Sequence, residues 1–177
     1  MEKADEILKQ LDSYNLQGFS HTNEGLVAHL MGTYEILKSW DCSENLCIAG
    51  LCHSIYGTES YRQAPIDLSE REKIKAILGS EAEELAYFFG AHVKDSLWEN
   101  LKRANNFSFY DRLNDSVTLI SEDQLKDLVT LALANWLEQR PRAPKEYLYI
   151  RKEEFLASEK LLPKKAFEEF LVAYGLN

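Results

Sequence analysis

Ala49-Gly50-Leu51-Cys52-His53-Ser54-Ile55-Tyr56-Gly57-Thr58 joins a run of small and apolar residues to a histidine, and then to a glycine. The pattern predicts a helix opened by Ser43 as N-cap, running to Tyr56 and stopped at Gly57. Such a helix carries a polar group, His53, on its buried end. Gly50 and Ala49 on the preceding turn leave space beside the imidazole.

The flanking sequence extends the helical reading. Upstream, Leu26, Val27, Leu30, Met31, Tyr34 and Leu37 form an i, i+3/i+4 stripe, with His29 inside it and Gly32 and Thr33 one turn on. Phe19 to Asn23 is its polar lead-in, and a short amphipathic helix is expected over about residues 2–12. Downstream, Ala64-Pro65-Ile66-Asp67 reads as loop. Ser69 with Glu72, and Ser80 with Glu83, have the form of capping boxes for two helices that meet at Gly79, the second ending near His92. Periodicity fails from Asn105 to Ser121, where residues 116–120 fit a short strand or extended segment. Ser121 with Gln124 opens a helix that is apolar nearly all round and carries Asn135; Pro141 and Pro144 stop it. Two final helices are expected over residues 146–175, the last starting at Pro163 and closed by Gly175. The expected fold is all-α, one domain over residues 1–177.

Composition narrows the function classes. A chain of 177 residues with 45% hydrophobic and 28% charged residues fits one soluble domain. No apolar run approaches the length of a membrane span, and the charged start lacks a secretory leader's apolar segment, so a cytoplasmic protein is expected. The net charge of −9 works against a nucleic-acid partner. Arg140-Pro141-Arg142 with Lys145 is too short a basic run to reverse that, and reads as solvated surface. Cys42, Cys47 and Cys52 are odd in number, match no zinc spacing, and are expected as reduced thiols.

His29, His53 and Asn135 are the candidate catalytic residues, because each is a polar group placed in an apolar helix. A buried asparagine must find hydrogen-bond partners, and an imidazole works as acid or base near neutral pH. Ser54 is not a nucleophile activated by His53, since adjacent helical residues point about 100° apart. Ser54, Glu59 and His92, with Arg62 and Arg112 for an anionic group, are the candidate ligand-binding residues.

The segment from His29 through Leu51-Cys52-His53 resembles the HD superfamily, particularly the RelA/SpoT-type hydrolase domain. Ile77 to Leu85 is similar to that group's helix–Gly–helix step, and Leu131-Ala132-Leu133-Ala134-Asn135-Trp136-Leu137 to its final metal-binding segment. The resemblance covers about residues 21–140, leaving the helices of 146–175 to pack on that core. The quoted decapeptide is also similar to small, little-characterised HD-like proteins that have His-Ser where the hydrolases have His-Asp. The resemblance implies a metal held by two histidines and two aspartates. Here Ser54 and Asn135 stand at the aspartate positions, and Gly57-Thr58 replaces an acidic pair, with Glu59 nearby. Hard dications require anionic oxygens, so the parent mechanism is not expected.

Three readings follow. The preferred one is a helical pocket that binds a small molecule, nucleotide-like or phosphorylated, with metal-free acid–base groups. The second is a rebuilt site in which His29 and His53 are joined by His92, His21 or Glu59 around Zn, Fe or Mn, for hydrolase or oxygenase chemistry. The third is an inactive interaction module. The sequence leaves open whether the chain is an enzyme, and its oligomeric state.

Overall fold

The computed structural model describes residues 2–11 and 24–176, and it is mainly helical. Helix α1 is Glu2–Leu11, α2 Glu24–Ser39 and α3 Glu44–Cys52. They are followed by α4 Arg71–Leu78, α5 Ser80–Ala91 and α6 Lys94–Trp98. A hairpin of β1 Ser108–Asp111 and β2 Ser116–Leu119 leads into α7 Glu122–Gln139, α8 Lys152–Ala157 and α9 Lys164–Tyr174. The lead-in at 19–23, including His21, lies outside the described residues.

Helix α3 is the axis of the packing. A nine-residue helix is too short to persist alone in water. Burial of Leu46 through Cys52 holds it, each fully buried leucine contributing about 1.5–3 kcal/mol. Ser43 Oγ accepts from the Leu46 amide at 3.2 Å, so its N-terminus is capped as the sequence indicates. Helices α2, α5 and α7 surround it. Helix α7 begins with a complete capping box between Ser121 and Gln124.

Four expectations need correction. Helix α3 ends at Cys52 rather than Tyr56, because His53 to Tyr56 form tight turns closed by Ile55 N–Cys52 O and Gly57 N–Ser54 O bonds. Neither Ser69 nor Ser80 caps a helix. Asp67 takes the Ser69 amide, and α5 starts from Gly79 at φ +86°, with Glu83 turned into the core. The irregular stretch holds two strands, β1 pairing antiparallel with β2 in the register Ser108↔Leu119 and Asp111↔Ser116.

Two polar knots fix the turns around the axis. Glu83, fully buried, accepts from Tyr56 Oη at 2.8 Å and from Arg71 through Nε at 2.7 Å and Nη2 at 3.0 Å. The Arg71 guanidinium lies 3.6 Å over the Tyr87 ring, and Tyr87 donates to Asp111 at 2.6 Å. Asp111 also accepts the amides of Leu113 and Asn114, which shapes the hairpin turn. Among the described residues no helix is long and apolar enough to cross a membrane.

Candidate functional site

His53 is the C-cap of α3, so its ring emerges where the helix stops. The turn that follows needs Gly57 in the left-handed region, at φ +68°. Gly90 of α5 lets it pack closely, since a Cβ there would stand 2.6 Å from the Gly57 carbonyl oxygen.

The two sequence-predicted histidines meet. Nε2 of His29 and Nε2 of His53 are 3.1 Å apart, with the rings perpendicular. Their Nδ1 atoms are both committed elsewhere. His53 Nδ1 faces the Gly50 carbonyl at 2.7 Å, which can only accept, so that nitrogen carries the proton. His29 Nδ1 bonds the Glu138 carboxylate, which Arg142 Nη2 holds at 2.7 Å to each oxygen. Burial pushes the His53 imidazole down to about 3; the neighbouring His29 lowers it too, while Gly50 and the Asn135 side chain act against the shift. His53 is therefore neutral near pH 7 with its Nε2 lone pair toward His29. His29 must then donate from Nε2. A hydrogen bond between the two Nε2 atoms thus requires His29 to donate from both nitrogens, with the Glu138 carboxylate beside it.

A cavity of about 400 Å³ opens beside the pair. Its polar lining includes His29, His53, Ser54, Glu59, Asn135 and Lys94; its apolar lining includes Leu26, Phe89, Trp98, Trp136 and Phe155. Asn135 is half-buried, and its Oδ1 accepts from Gln139 at 3.0 Å. Lys94 donates its amide to Glu59 at 3.0 Å and its ammonium to Ser60. Arg151 reaches the wall while paired with Asp95 and Glu154.

His92 lines the same cavity, but Phe89 makes ring contacts with both His53, at 5.2 Å, and His92, at 5.3 Å. His92 Nδ1 donates to the Phe88 carbonyl, and burial lowers its imidazole to about 4. Among the described residues no group of three or more His, Cys, Asp and Glu side chains could hold a metal ion. Arg62 and Arg112 are not among the lining residues; Arg112 Nε instead donates to the Gly90 carbonyl at 3.0 Å. Burial raises all three cysteine thiols, Cys47 to about 11 and Cys42 and Cys52 to about 12, which keeps them unreactive.

Glu138 and Arg142 are the residues that sequence reasoning missed. Glu138 lies one turn after Asn135 on α7, on the same face, and Gly32 lies one turn after His29 on α2. Those two spacings together were the available signal.

A family model described as a domain of unknown function (DUF6817) matches residues 10–93, a stretch similar to that family and holding His29, His53 and His92. No curated protein and no solved structure matches the chain.

Proposed function

We propose that the chain is an HD-like helical protein that binds a small phosphorylated or nucleotide-like molecule in the inner cavity and acts on it by proton transfer. The observation carrying this reading is the pair of facing Nε2 atoms with both Nδ1 positions committed. Two imidazoles so held need a cation between their lone pairs, and one proton supplies it. A ligand entering at that point meets an acid, His29, beside a base, His53, and Asn135 orients it. Acid–base groups positioned within hydrogen-bond reach contribute typically about 10²–10⁴-fold to a rate.

The HD resemblance implies a metal, and the donor set does not fit a hard dication. Two ring nitrogens and the amide of Asn135 offer no anionic oxygen, and Glu59 on the same wall is engaged by the Lys94 amide. The nearest carboxylate, Glu138, sits on the far nitrogen of His29 and is shared with Arg142. An anionic ligand is favoured instead by the His29 imidazolium and by Lys94 and Arg151 on the wall.

Elemental analysis of the purified chain, followed by thermal shift with phosphomonoesters and nucleotides, tests this. The expected result is no stoichiometric metal, and a ligand that raises Tm in the wild type but not in His53→Ala. Stoichiometric zinc, iron or manganese that disappears in His53→Ala would overturn the metal-free reading. The absence of any stabilising ligand would favour an interaction module.

A further inference from the structure

His29 is a wall of two cavities. Beyond it lies an outer cavity of about 440 Å³, bounded by Tyr61, Trp136, Gln139, Arg142 and Tyr147. We propose that this outer cavity is a second binding site, for a small aromatic anion, and that its occupant fixes the charge of His29 through Arg142 and Glu138. The coupling, though not the site, rests on the His29–His53 pair working as described above.

The chemistry of the walls selects the ligand. A guanidinium has five N–H donors. Arg142 uses Nη2 for both Glu138 oxygens, and among the described residues its Nε and Nη1 have no acceptor. Its side chain is 62% exposed, so those donors are open to a carboxylate or phosphate, the groups that a guanidinium's planar fork fits best. Trp136 offers a fixed face, because its Nε1 donates to the Tyr174 hydroxyl at 2.5 Å. Tyr61 and Tyr147 add aromatic surface, with Tyr147 half exposed. A planar ring bearing one anionic group matches both features.

The coupling follows from charge. Arg142, Glu138 and His29 form a row of plus, minus and plus, with Arg142 on the outer cavity and His29 between the two cavities. An anion on Arg142 neutralises the outer charge and loosens its hold on Glu138. The carboxylate then binds the His29 proton more tightly, and the inner acid stays charged. Linkage makes the effect reciprocal: protonation of His29 draws Glu138 toward it and tightens the outer site's hold on its own anion.

Phenyl phosphate is a suitable probe, titrated into the full chain by calorimetry and by NMR of the histidine rings, with His29 assigned by substitution. The expected result is saturable binding that Arg142→Gln weakens at least about tenfold and His53→Ala leaves intact. In the wild type the His29 resonances hold the imidazolium position to higher pH with the probe bound than without it. Tyr147→Ala, which leaves the charged row untouched, weakens binding severalfold. Equal affinity in Arg142→Gln, or no saturable binding, would overturn the outer site. Binding lost in His53→Ala but kept in Arg142→Gln would place the probe in the inner cavity, supporting the inner reading while removing this one. Binding that leaves the pH response of His29 unchanged would remove the coupling.

Discussion

Gly32 makes room for Glu138. A Cβ at position 32 would stand 2.7 Å from Glu138 Cγ, so the carboxylate reaches His29 only because α2 has no side chain there. Gly32→Ala is expected to push Glu138 aside. An alanine gains roughly 1 kcal/mol of helix propensity, against about 1–3 kcal/mol for overpacking, so Tm changes little. The His29 resonances, in contrast, shift toward the neutral form. Glu138→Gln gives the same spectroscopic change without the steric load, and both variants lose affinity for an anionic ligand in the inner cavity. Unchanged His29 resonances in both would rule out Glu138 as the group that sets its charge.

Acid should weaken the fold through two buried histidines. His53 and His92 are lowered from 6.5 to about 3 and about 4. The unfolded chain takes up both protons below pH 6.5 and the folded chain does not. Their stabilisation is therefore complete above pH 6.5 and falls with acidification, at about 1.4 kcal/mol per pH unit for each. Asp127 acts in the opposite sense, since burial first, then Asp123 and Glu81, raise it from 3.8 to about 6. Being partly exposed, it offsets less than one histidine. Urea unfolding between pH 7 and 5 should show a net loss, flatter in His92→Phe and steeper in Asp127→Asn. A pH-independent midpoint would contradict the neutral assignment of both rings.

The Arg71–Glu83 pair is expected to be costly to break and cheap to replace. Arg71→Met leaves a fully buried carboxylate with only Tyr56 as partner, a loss of about 3–5 kcal/mol. The double variant Arg71→Met/Glu83→Gln removes the charge, keeps an acceptor for Tyr56, and should regain much of that stability. A double variant no more stable than the single would show that packing on Tyr87, rather than charge, is what Arg71 supplies.

Gly90→Ala should disturb the site from outside the cavity. The added Cβ meets the backbone oxygen of Gly57, which cannot swing away as a side-chain tip could. A loss of about 2 kcal/mol is expected, with weaker ligand binding because the His53 turn is displaced. A variant as stable as wild type would mean that α5 and this turn separate freely.

The helical core was readable because its signals are local. The α7 capping box joins residues three apart, the α2 stripe repeats within one turn, and α3 is a continuous apolar run. His29 was legible as a polar interruption of the α2 stripe, and His53 as the polar end of the α3 run. Glu138 was not, because a charged residue on a polar face looks like any solvated one, and its partner lies 109 positions away in the chain. The Ser80–Glu83 spacing misled for a related reason. Glu83 has the form of a capping residue, but Arg71 and Tyr56 claim it from distant elements. Strand β1 escaped notice because four residues of mixed polarity carry no periodicity, and the pairing with β2 defines them.

The cavity is built from two walls of different origin in the chain. His29, His53, Ser54 and Glu59 come from the first half, within residues 10–93, whereas Asn135, Trp136, Ile150 and Phe155 come from the second. The first wall carries the facing imidazoles, and the second adds Asn135 and, through Glu138, the partner of the His29 Nδ1. Neither half of the chain therefore makes this site alone. Substitutions at Trp98, Ile150 and Phe155 would retune what enters while leaving the groups bonded to the imidazole pair in place.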